Sequence, residues 1–214
     1  MPLINVSENK KPLVVIVCLV LIAVSVFCMV NRDSSSGMKG ANKVGEALGT
    51  ILGEETGKLL KGKGEVVLIS MNPKQRLDGK PQPEVIALEK AVKKAGLSVA
   101  GREYISINTE LADIPADNFI KVINRYPKAD AIISLLGYPA FKNNDLAAMP
   151  EKLPKLVGTA WRTTGVRRLV QQDIIQLVVV ARPLQTSKSP RTMREWFDKY
   201  FEIYTAANAA SLPE

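Results

Sequence analysis

The sequence predicts an α/β protein, in which a single doubly wound, mainly parallel five-stranded sheet follows one amino-terminal transmembrane helix. From residue 65 onward, short β-rich segments alternate with amphipathic segments of helical period. One β-rich segment, Ala131–Leu136, is a continuous apolar run, which is typical of a strand covered on both faces. Before this region, residues 13–30 form one uncharged apolar block. The 214 residues suffice for one globular domain and an anchor.

The predicted sheet lies in a domain at 65–183. Its strands are Glu65–Met71, Ser98–Ile107, Ala131–Leu136, Lys155–Trp161 and Ile174–Ala181. Helices are predicted between consecutive strands, over Glu84–Gly96, Pro115–Tyr126, Asp145–Lys152 and Thr164–Asp173. In the longer helices, apolar side chains recur every three or four residues, so one face can pack on the sheet. A helix that connects two parallel strands makes a right-handed crossover, which produces the doubly wound arrangement.

The apolar block predicts a transmembrane anchor over residues 13–31, after an amino-terminal tail at 1–12. As a helix, the apolar block 13–30 spans about 27 Å, close to the ~30 Å hydrocarbon core. The block is longer than the core of a cleavable signal peptide, and Phe27–Asn31 offers no small-residue cleavage site. We therefore interpret it as a retained signal anchor.

Charges on the two sides leave the orientation of the anchor undecided, since Lys10 and Lys11 precede it while Arg32, Lys39 and Lys43 follow it. A short basic tail before the anchor and a large domain after it are typical of a tail-in orientation. We expect a single-pass protein of the cell inner membrane with its carboxyl-terminal domain in the periplasm. Membrane lipids are then one partner of the chain.

Composition excludes several kinds of chemistry. The chain has no histidine, and both of its cysteines, Cys18 and Cys28, lie in the predicted anchor. The domain after the anchor therefore has no imidazole base, no thiolate nucleophile and no histidine- or cysteine-based metal site. No phosphate-binding glycine loop occurs either. We expect a protein that is not an enzyme and that has no metal site and no cofactor.

The formal net charge of +8 is spread thinly along the chain. Basic residues are scattered among acidic ones, and no run of basic and aromatic residues accompanies them. Nucleic acid is therefore not an expected partner. Attraction to anionic lipid headgroups beside the anchor is the expected use of the excess charge.

Small residues recur every four positions in the segment 32–64. They include Gly45, Gly49, Gly53 and Gly57. On a helix, this spacing produces a stripe that allows a second helix to approach closely. The alternative is a flexible linker, because each interior glycine costs a helix about 1 kcal/mol. If the helix forms it needs a partner, and the stripe predicts an interface with another membrane-complex subunit or with a second copy.

A last amphipathic helix is predicted in the segment 184–214, followed by a frayed tail from Ala206. Five aromatic residues with helical spacing lie close together on it, namely Trp196, Phe197, Tyr200, Phe201 and Tyr204. One interpretation is a helix that packs on the sheet. The other is an aromatic face that binds another subunit, because interface cores are enriched in aromatic residues.

Four motifs resemble one lobe of a periplasmic-binding-protein-like domain, over about residues 65–183. They are Ala87–Leu97 (ALEKAVKKAGL), Phe119–Ile123 (FIKVI), Ala129–Gly137 (ADAIISLLG) and Leu153–Gly158 (LPKLVG). The resemblance implies a Rossmann-like fold. In that superfamily two similar lobes close around a ligand, whereas only one lobe fits this sequence. The resemblance therefore implies half of a binding cleft, which a second chain would have to complete.

Ligands of open α/β sheets bind outside the carboxyl ends of the strands. This rule predicts a site for a small-molecule ligand at Asn72, Gly137, Tyr138, Gly158, Thr159, Trp161 and Arg162. These residues lie at the ends of the first, third and fourth predicted strands. The alternative is that they only build tight turns.

These observations lead to two main hypotheses about function. The first is a non-catalytic, membrane-anchored subunit or docking module of a cell-envelope protein complex, which would use the glycine stripe and the aromatic helix as interfaces. The second is a membrane-tethered solute-binding or sensing lobe that serves a transporter or a receptor. A third is an enzyme that works with carboxylate, lysine and tyrosine side chains.

Overall fold

The computed structural model describes residues 40–75, 82–105, 114–161, 163, 165–183 and 189–213. Asn42–Glu214 forms one compact unit. The predicted anchor at 13–31 and the tail before it lie outside the described residues. Within the described part of the chain, no helix is both long enough and apolar enough to cross a membrane.

A sheet of six strands forms the centre of this unit, in the order β2-β1-β3-β4-β5-β6. The strands are β1 Glu65–Ser70, β2 Ser98–Tyr104, β3 Ala131–Ser134, β4 Lys155–Ala160, β5 Ile175–Ala181 and β6 Phe201–Tyr204. Strands β1 to β5 pair in parallel, which confirms the predicted mainly parallel sheet. The strand order runs in opposite directions on the two sides of β1, so a topological switch point lies between β1 and β3.

Helices connect the parallel strands as predicted, with bounds that differ by a few residues. The described helices are α1 at 40–59, α2 Pro83–Lys94, α3 Ala116–Arg125, α4 Asn143–Ala147, α5 Val166–Gln171 and α6 Met193–Tyr200. Pro83 opens α2, where a missing N–H group leaves no helical hydrogen bond unmade. Together, these helices cover both faces of the sheet.

Two hydrophobic cores lie on opposite faces of the sheet. On one face, α1, α2 and α6 contribute Leu52, Leu88 and Phe197. On the other face, α3 and α5 contribute Phe119 and Leu169. Successive strand residues point alternately into the two cores, because side chains of a strand alternate between its faces. All four residues of β3 are buried, as its continuous apolar run predicted.

The glycine stripe forms a helix, and its partner belongs to the same chain. The four glycines predicted as an interface, Gly45, Gly49, Gly53 and Gly57, all face α2. A β-carbon placed on Gly49 would lie 2.1 Å from the carbonyl oxygen of Glu84, and one on Gly57 would lie 2.4 Å from Cβ of Ala95. This corrects the prediction of an interface with another chain, because α2 already occupies the stripe.

The last helix is shorter than its aromatic spacing predicted. It ends at Tyr200, and the next four residues form β6, which pairs antiparallel with β5. The sheet therefore has six strands rather than five. Phe201 and Tyr204 point into the two different cores, as residues of opposite parity on a strand must. Residues three apart lie on one face of a helix but on opposite faces of a strand, so this spacing is compatible with either element. The hydrogen bonds to β5 show that the segment is a strand.

The predicted aromatic interface is largely internal. Phe197, Phe201 and Tyr204 are at most 7% exposed and belong to the cores. Trp196 and Tyr200 are half-buried and stack on each other, with ring centroids 6.0 Å apart. The helix that packs on the sheet is therefore the better of the two interpretations.

The carboxyl-terminal tail is also packed on the domain rather than frayed. Ala209 and Leu212 are buried in the core beneath α5. The Nε of Arg167 donates a hydrogen bond of 2.9 Å to the carbonyl oxygen of Leu212. In the sequence, the apolar residues of the tail were the feature that could have indicated this packing.

Replacement of Gly49 by alanine tests the contact between α1 and α2. The added methyl group has no room beside the Glu84 carbonyl, so α1 must move away from α2. We expect the free energy of unfolding to fall by about 1–3 kcal/mol, measured by chemical denaturation.

Gly40→Ala is the matched control, because a β-carbon on Gly40 meets no atom of the described residues within 4 Å. It should leave the free energy of unfolding unchanged or raise it by up to about 1 kcal/mol. Equal losses from the two substitutions would contradict the close packing of the two helices.

Candidate functional site

The carboxyl ends of β1 to β4 meet at one edge of the sheet, which we call the carboxyl edge. The chain leaves this edge after Ser70 in β1, Tyr104 in β2, Ser134 in β3 and Ala160 in β4. The switch point between β1 and β3 lies on this edge, where open α/β sheets bind their ligands. The predicted site residues that the structure describes lie in or next to the last residues of these strands. Arg162 lies outside the described residues.

Hydrogen bonds join the ends of β3 and β4. The Thr159 hydroxyl donates to the carbonyl oxygen of Leu135 over 3.1 Å, and the indole N–H of Trp161 donates to the same oxygen over 3.4 Å. The Ser134 hydroxyl donates to the carbonyl oxygen of Gly137 over 2.6 Å. Gly137 has a φ of 99°, a conformation that other residues rarely adopt. These bonds hold a tight turn and bring Gly137 against the Trp161 ring.

Gly158 and Thr159 have structural roles rather than the predicted ligand contacts. A β-carbon on Gly158 would lie 2.2 Å from the carbonyl oxygen of Ser134, so only glycine fits between β3 and β4 here. Thr159 is 2% exposed and uses its hydroxyl in the turn. Both residues lie within β4, where Gly158 allows β3 and β4 to pair closely and Thr159 binds the segment that follows β3.

Tyr138 and Asn72 are likewise engaged within the domain. The Tyr138 hydroxyl is buried without a hydrogen-bond partner in the described part of the chain, and its ring lies 5.6 Å from that of Phe119. Burial raises the pKa of Tyr138 well above its ordinary value, so the hydroxyl stays protonated at neutral pH. The side-chain Oδ1 of Asn72 accepts a hydrogen bond of 3.0 Å from the backbone N–H of Lys74. Asn72 thereby stabilises the turn after β1.

Two large aromatic side chains stay exposed on the carboxyl edge. Trp161 is 61% exposed and Tyr104 is 48% exposed. They stand at the ends of β4 and β2, so three interstrand spacings, about 14 Å, separate their strands. Trp161 was among the predicted residues, whereas Tyr104 was not. The predicted second strand ran on to Ile107, which placed Tyr104 in its interior instead of at its end.

A cleft of about 260 Å³ adjoins Tyr104 at the carboxyl ends of β1 and β2. Its lining includes Ser70 and Met71 from β1 and the turn after it, Ile86 and Glu89 from α2, and Arg102 and Tyr104 from β2. Arg102 and Tyr104 are two residues apart on one strand and therefore share a face. Ligand pockets usually hold about 300–1,000 Å³, so this cleft is smaller than the usual ligand pocket.

An ion pair lies in the wall of the cleft. The guanidinium of Arg102 donates two hydrogen bonds to the carboxylate of Glu89, of which the one to Oε2 measures 2.8 Å. The hydrogen bond from Arg102 holds the pKa of Glu89 below its ordinary value. A carboxylate and a guanidinium are thus fixed beside an aromatic ring. Within the described residues, no three acidic side chains come together as a metal site would require.

No protein-family model matches the sequence, and no curated protein matches it. Solved structures of sugar-binding proteins share the fold. An arabinose-binding protein from Geobacillus stearothermophilus has a TM-score of 0.55 at 15% identity, over 79% of this chain and 63% of that chain. The sugar-binding protein of a sugar ABC transporter from Bacillus halodurans has a TM-score of 0.54 at 14% identity, over 79% and 64%.

An ABC transporter solute-binding protein from Burkholderia graminis C4D1M, in complex with D-arabinose, has a TM-score of 0.54 at 18% identity, over 79% of this chain and 62% of that chain. This chain therefore spans less than two thirds of the length of each of the three proteins. The predicted fold, one lobe of a periplasmic-binding-protein-like domain, is confirmed.

Removal of Arg102 tests the ion pair through the pH dependence of stability. The folded-state pKa of Glu89 is lowered, so the pair stabilises the fold above the unfolded-state pKa and ceases to do so as the pH falls through the folded-state value. We expect Arg102→Ala to lower the free energy of unfolding at pH 7 by at most about 1 kcal/mol, because the pair is partly exposed.

At a pH below the folded-state pKa of Glu89, where the carboxyl is protonated in both states, the two proteins should be equally stable. Urea unfolding at the two pH values measures the difference. The same loss at both values would mean that the Arg102 side chain stabilises the fold by packing and not by charge.

Proposed function

We propose that this chain is a solute-binding lobe whose carboxyl edge binds a small hydroxylated molecule, such as a sugar. The observation that carries the proposal is the pair of exposed aromatic rings, Tyr104 and Trp161, on the edge where sheets of this class bind ligands. Sugar rings have apolar C–H faces that pack on aromatic rings, while their hydroxyl groups stay free for polar partners. The sugar-binding proteins of the same fold support this ligand class.

The Glu89–Arg102 pair supplies the polar partners next to Tyr104. The carboxylate of Glu89 accepts hydrogen bonds, and Arg102 has five N–H donors, of which Glu89 takes two. Because each group holds the other in place, little side-chain entropy is lost when a ligand hydroxyl binds to both. A diol fits this arrangement, since one hydroxyl can donate to the carboxylate and its neighbour can accept from the guanidinium.

The lobe provides half of a site in this proposal. A sugar of ten non-hydrogen atoms that gains about 0.4 kcal/mol per atom reaches a dissociation constant on the order of 1 mM. A cleft of about 260 Å³ is consistent with such weak binding. Tighter binding requires a second lobe to cover the exposed faces of Tyr104 and Trp161, and this chain spans less than two thirds of the length of the sugar-binding proteins that share its fold.

The docking-module hypothesis loses the features that favoured it. Its glycine stripe is covered by α2, and three of its five aromatic side chains are buried in the cores. The solute-binding hypothesis needs neither feature. We further propose that the anchor at 13–31 holds the lobe at the periplasmic side of the membrane, where it serves a transporter or a receptor without catalysing a reaction.

Sugar binding is testable by saturation-transfer NMR on the whole 214-residue chain in detergent micelles, with D-arabinose and a panel of pentoses and hexoses. We expect at least one sugar to bind saturably in the millimolar range. Tyr104→Ala should raise its dissociation constant about tenfold, because it removes the stacking face beside the Glu89–Arg102 pair. Trp161→Ala tests whether the bound sugar also reaches the second ring.

Arg125→Ala is the matched control for Tyr104→Ala, because Arg125 of α3 contacts β2 through Glu103. Its Nη1 donates hydrogen bonds to both carboxylate oxygens of Glu103, on the other face of that strand, away from the cleft. It should leave the affinity unchanged. The proposal is overturned if no sugar of the panel binds, or if the two aromatic substitutions leave binding intact.

A further inference from the structure

A second cleft, of about 600 Å³, runs along the outer side of the junction between α1 and α2. We call it the helix groove. Thr50 of α1 and Ala87 and Ala91 of α2 line it, with Ile86 at one end. Met193 of α6 reaches its rim. Ile86 is 57% exposed and Met193 is 37% exposed, so the groove presents apolar surface to solvent.

Charges of opposite sign border the helix groove on its two sides. Glu46 and Glu54 lie on α1, and Lys90 and Lys94 lie on α2. All four side chains are exposed, and none of them forms an ion pair with another described residue. An acidic row and a basic row thus flank an apolar strip. Such a surface is complementary to itself after a rotation that exchanges the two rows.

We propose that the helix groove binds a second copy of this chain in a symmetric dimer. In a two-fold dimer, the same surface patch of both copies forms the interface, so the patch must be complementary to itself. A membrane surface or a peptide of one charge would favour a groove of a single sign. The two rows of opposite sign therefore point to a second copy as the occupant.

The relative positions of α1 and α2 select one direction for the two-fold axis. The two helices run in the same direction, since Gly49 faces Glu84 and Leu88 while Gly57 faces Ala95. An axis parallel to the helices places α1 of one copy on α2 of the other at the same height. An axis perpendicular to them places α1 on α1, which brings the acidic rows together and is repulsive.

The parallel axis brings specific charges together. Gly53 faces the segment of α2 from Leu88 to Val92, and Glu54 follows it directly. Glu54 of one copy therefore comes between Lys90 and Lys94 of the other, which are one helical turn apart. Symmetry repeats the contact, so the dimer has two such clusters on either side of the apolar strip.

Charge reversal tests the dimer by sedimentation velocity of the whole chain in a density-matched detergent. The unmodified chain should show a concentration-dependent equilibrium between monomer and dimer. Glu54→Lys alone, or Lys90→Glu with Lys94→Glu, places like charges opposite each other and should raise the dissociation constant at least about tenfold. The triple variant that carries all three reversals should regain the dimer.

Lys121→Glu is the matched control, because Lys121 is exposed on α3 on the opposite face of the sheet. It should leave the dissociation constant unchanged. The proposal is overturned if the unmodified chain is monomeric throughout, if the reversals leave its dimer intact, or if the correctly folded triple variant stays monomeric. Sugar affinity of the Lys90→Glu, Lys94→Glu monomer should match that of the unmodified chain, so this proposal and the proposed function fail separately.

Discussion

The close contact between α1 and α2 is the constraint on which the other surfaces depend. Glycines at every fourth position of α1 remove the side chains that would otherwise separate the helices, so α2 lies directly against the α1 backbone. This position lets α1 place Leu48 and Leu52 over the central strands. It also lets α2 reach the end of β2 with Glu89. The cleft beside Tyr104 and the helix groove therefore lie on two sides of the same packed helix pair.

The carboxyl edge combines rigid turns with exposed rings. At the ends of β3 and β4, hydroxyl groups bind backbone carbonyls, and Gly158 allows the strands to approach closely. The polar groups of this region are thus satisfied inside the protein, and Trp161 is held from below through its indole N–H while most of its surface faces solvent. A rigid base under an exposed ring suits ligand binding, because little conformational entropy remains to be lost.

Local patterns predicted most of the fold, because they depend on the periods of helix and strand. The five parallel strands, their connecting helices and the helical glycine segment all have such a period. The sixth strand was not predicted, since Phe201 and Tyr204 fit a helix face as well as a strand. Only the hydrogen bonds to β5 distinguish the two, and these join residues far apart in the chain.

The candidate site residues were predicted at the carboxyl edge, and those that the structure describes lie there, while their role in ligand binding stays a prediction. The rule about carboxyl ends depends on topology alone, so it selects this edge and includes the exposed Trp161. The rule does not indicate that the Tyr138 hydroxyl is buried or that the Thr159 hydroxyl is hydrogen-bonded to the carbonyl oxygen of Leu135. It did not include Tyr104 or the Glu89–Arg102 pair. That pair joins a helix to a strand, and no periodic pattern in the sequence indicates that these two side chains come into contact.

The sequence by itself determined the α/β class, the parallel core and the absence of imidazole and of thiol chemistry after residue 31, since these follow from composition and from period. Only the tertiary structure decided which surfaces remain free. The glycine stripe and the aromatic residues near the carboxyl terminus were candidate interfaces in the sequence, but the structure uses the stripe to pack α1 and most of the aromatic residues to pack α6 and β6. Burial depends on which elements become neighbours, and that is a property of the whole chain and not of any segment.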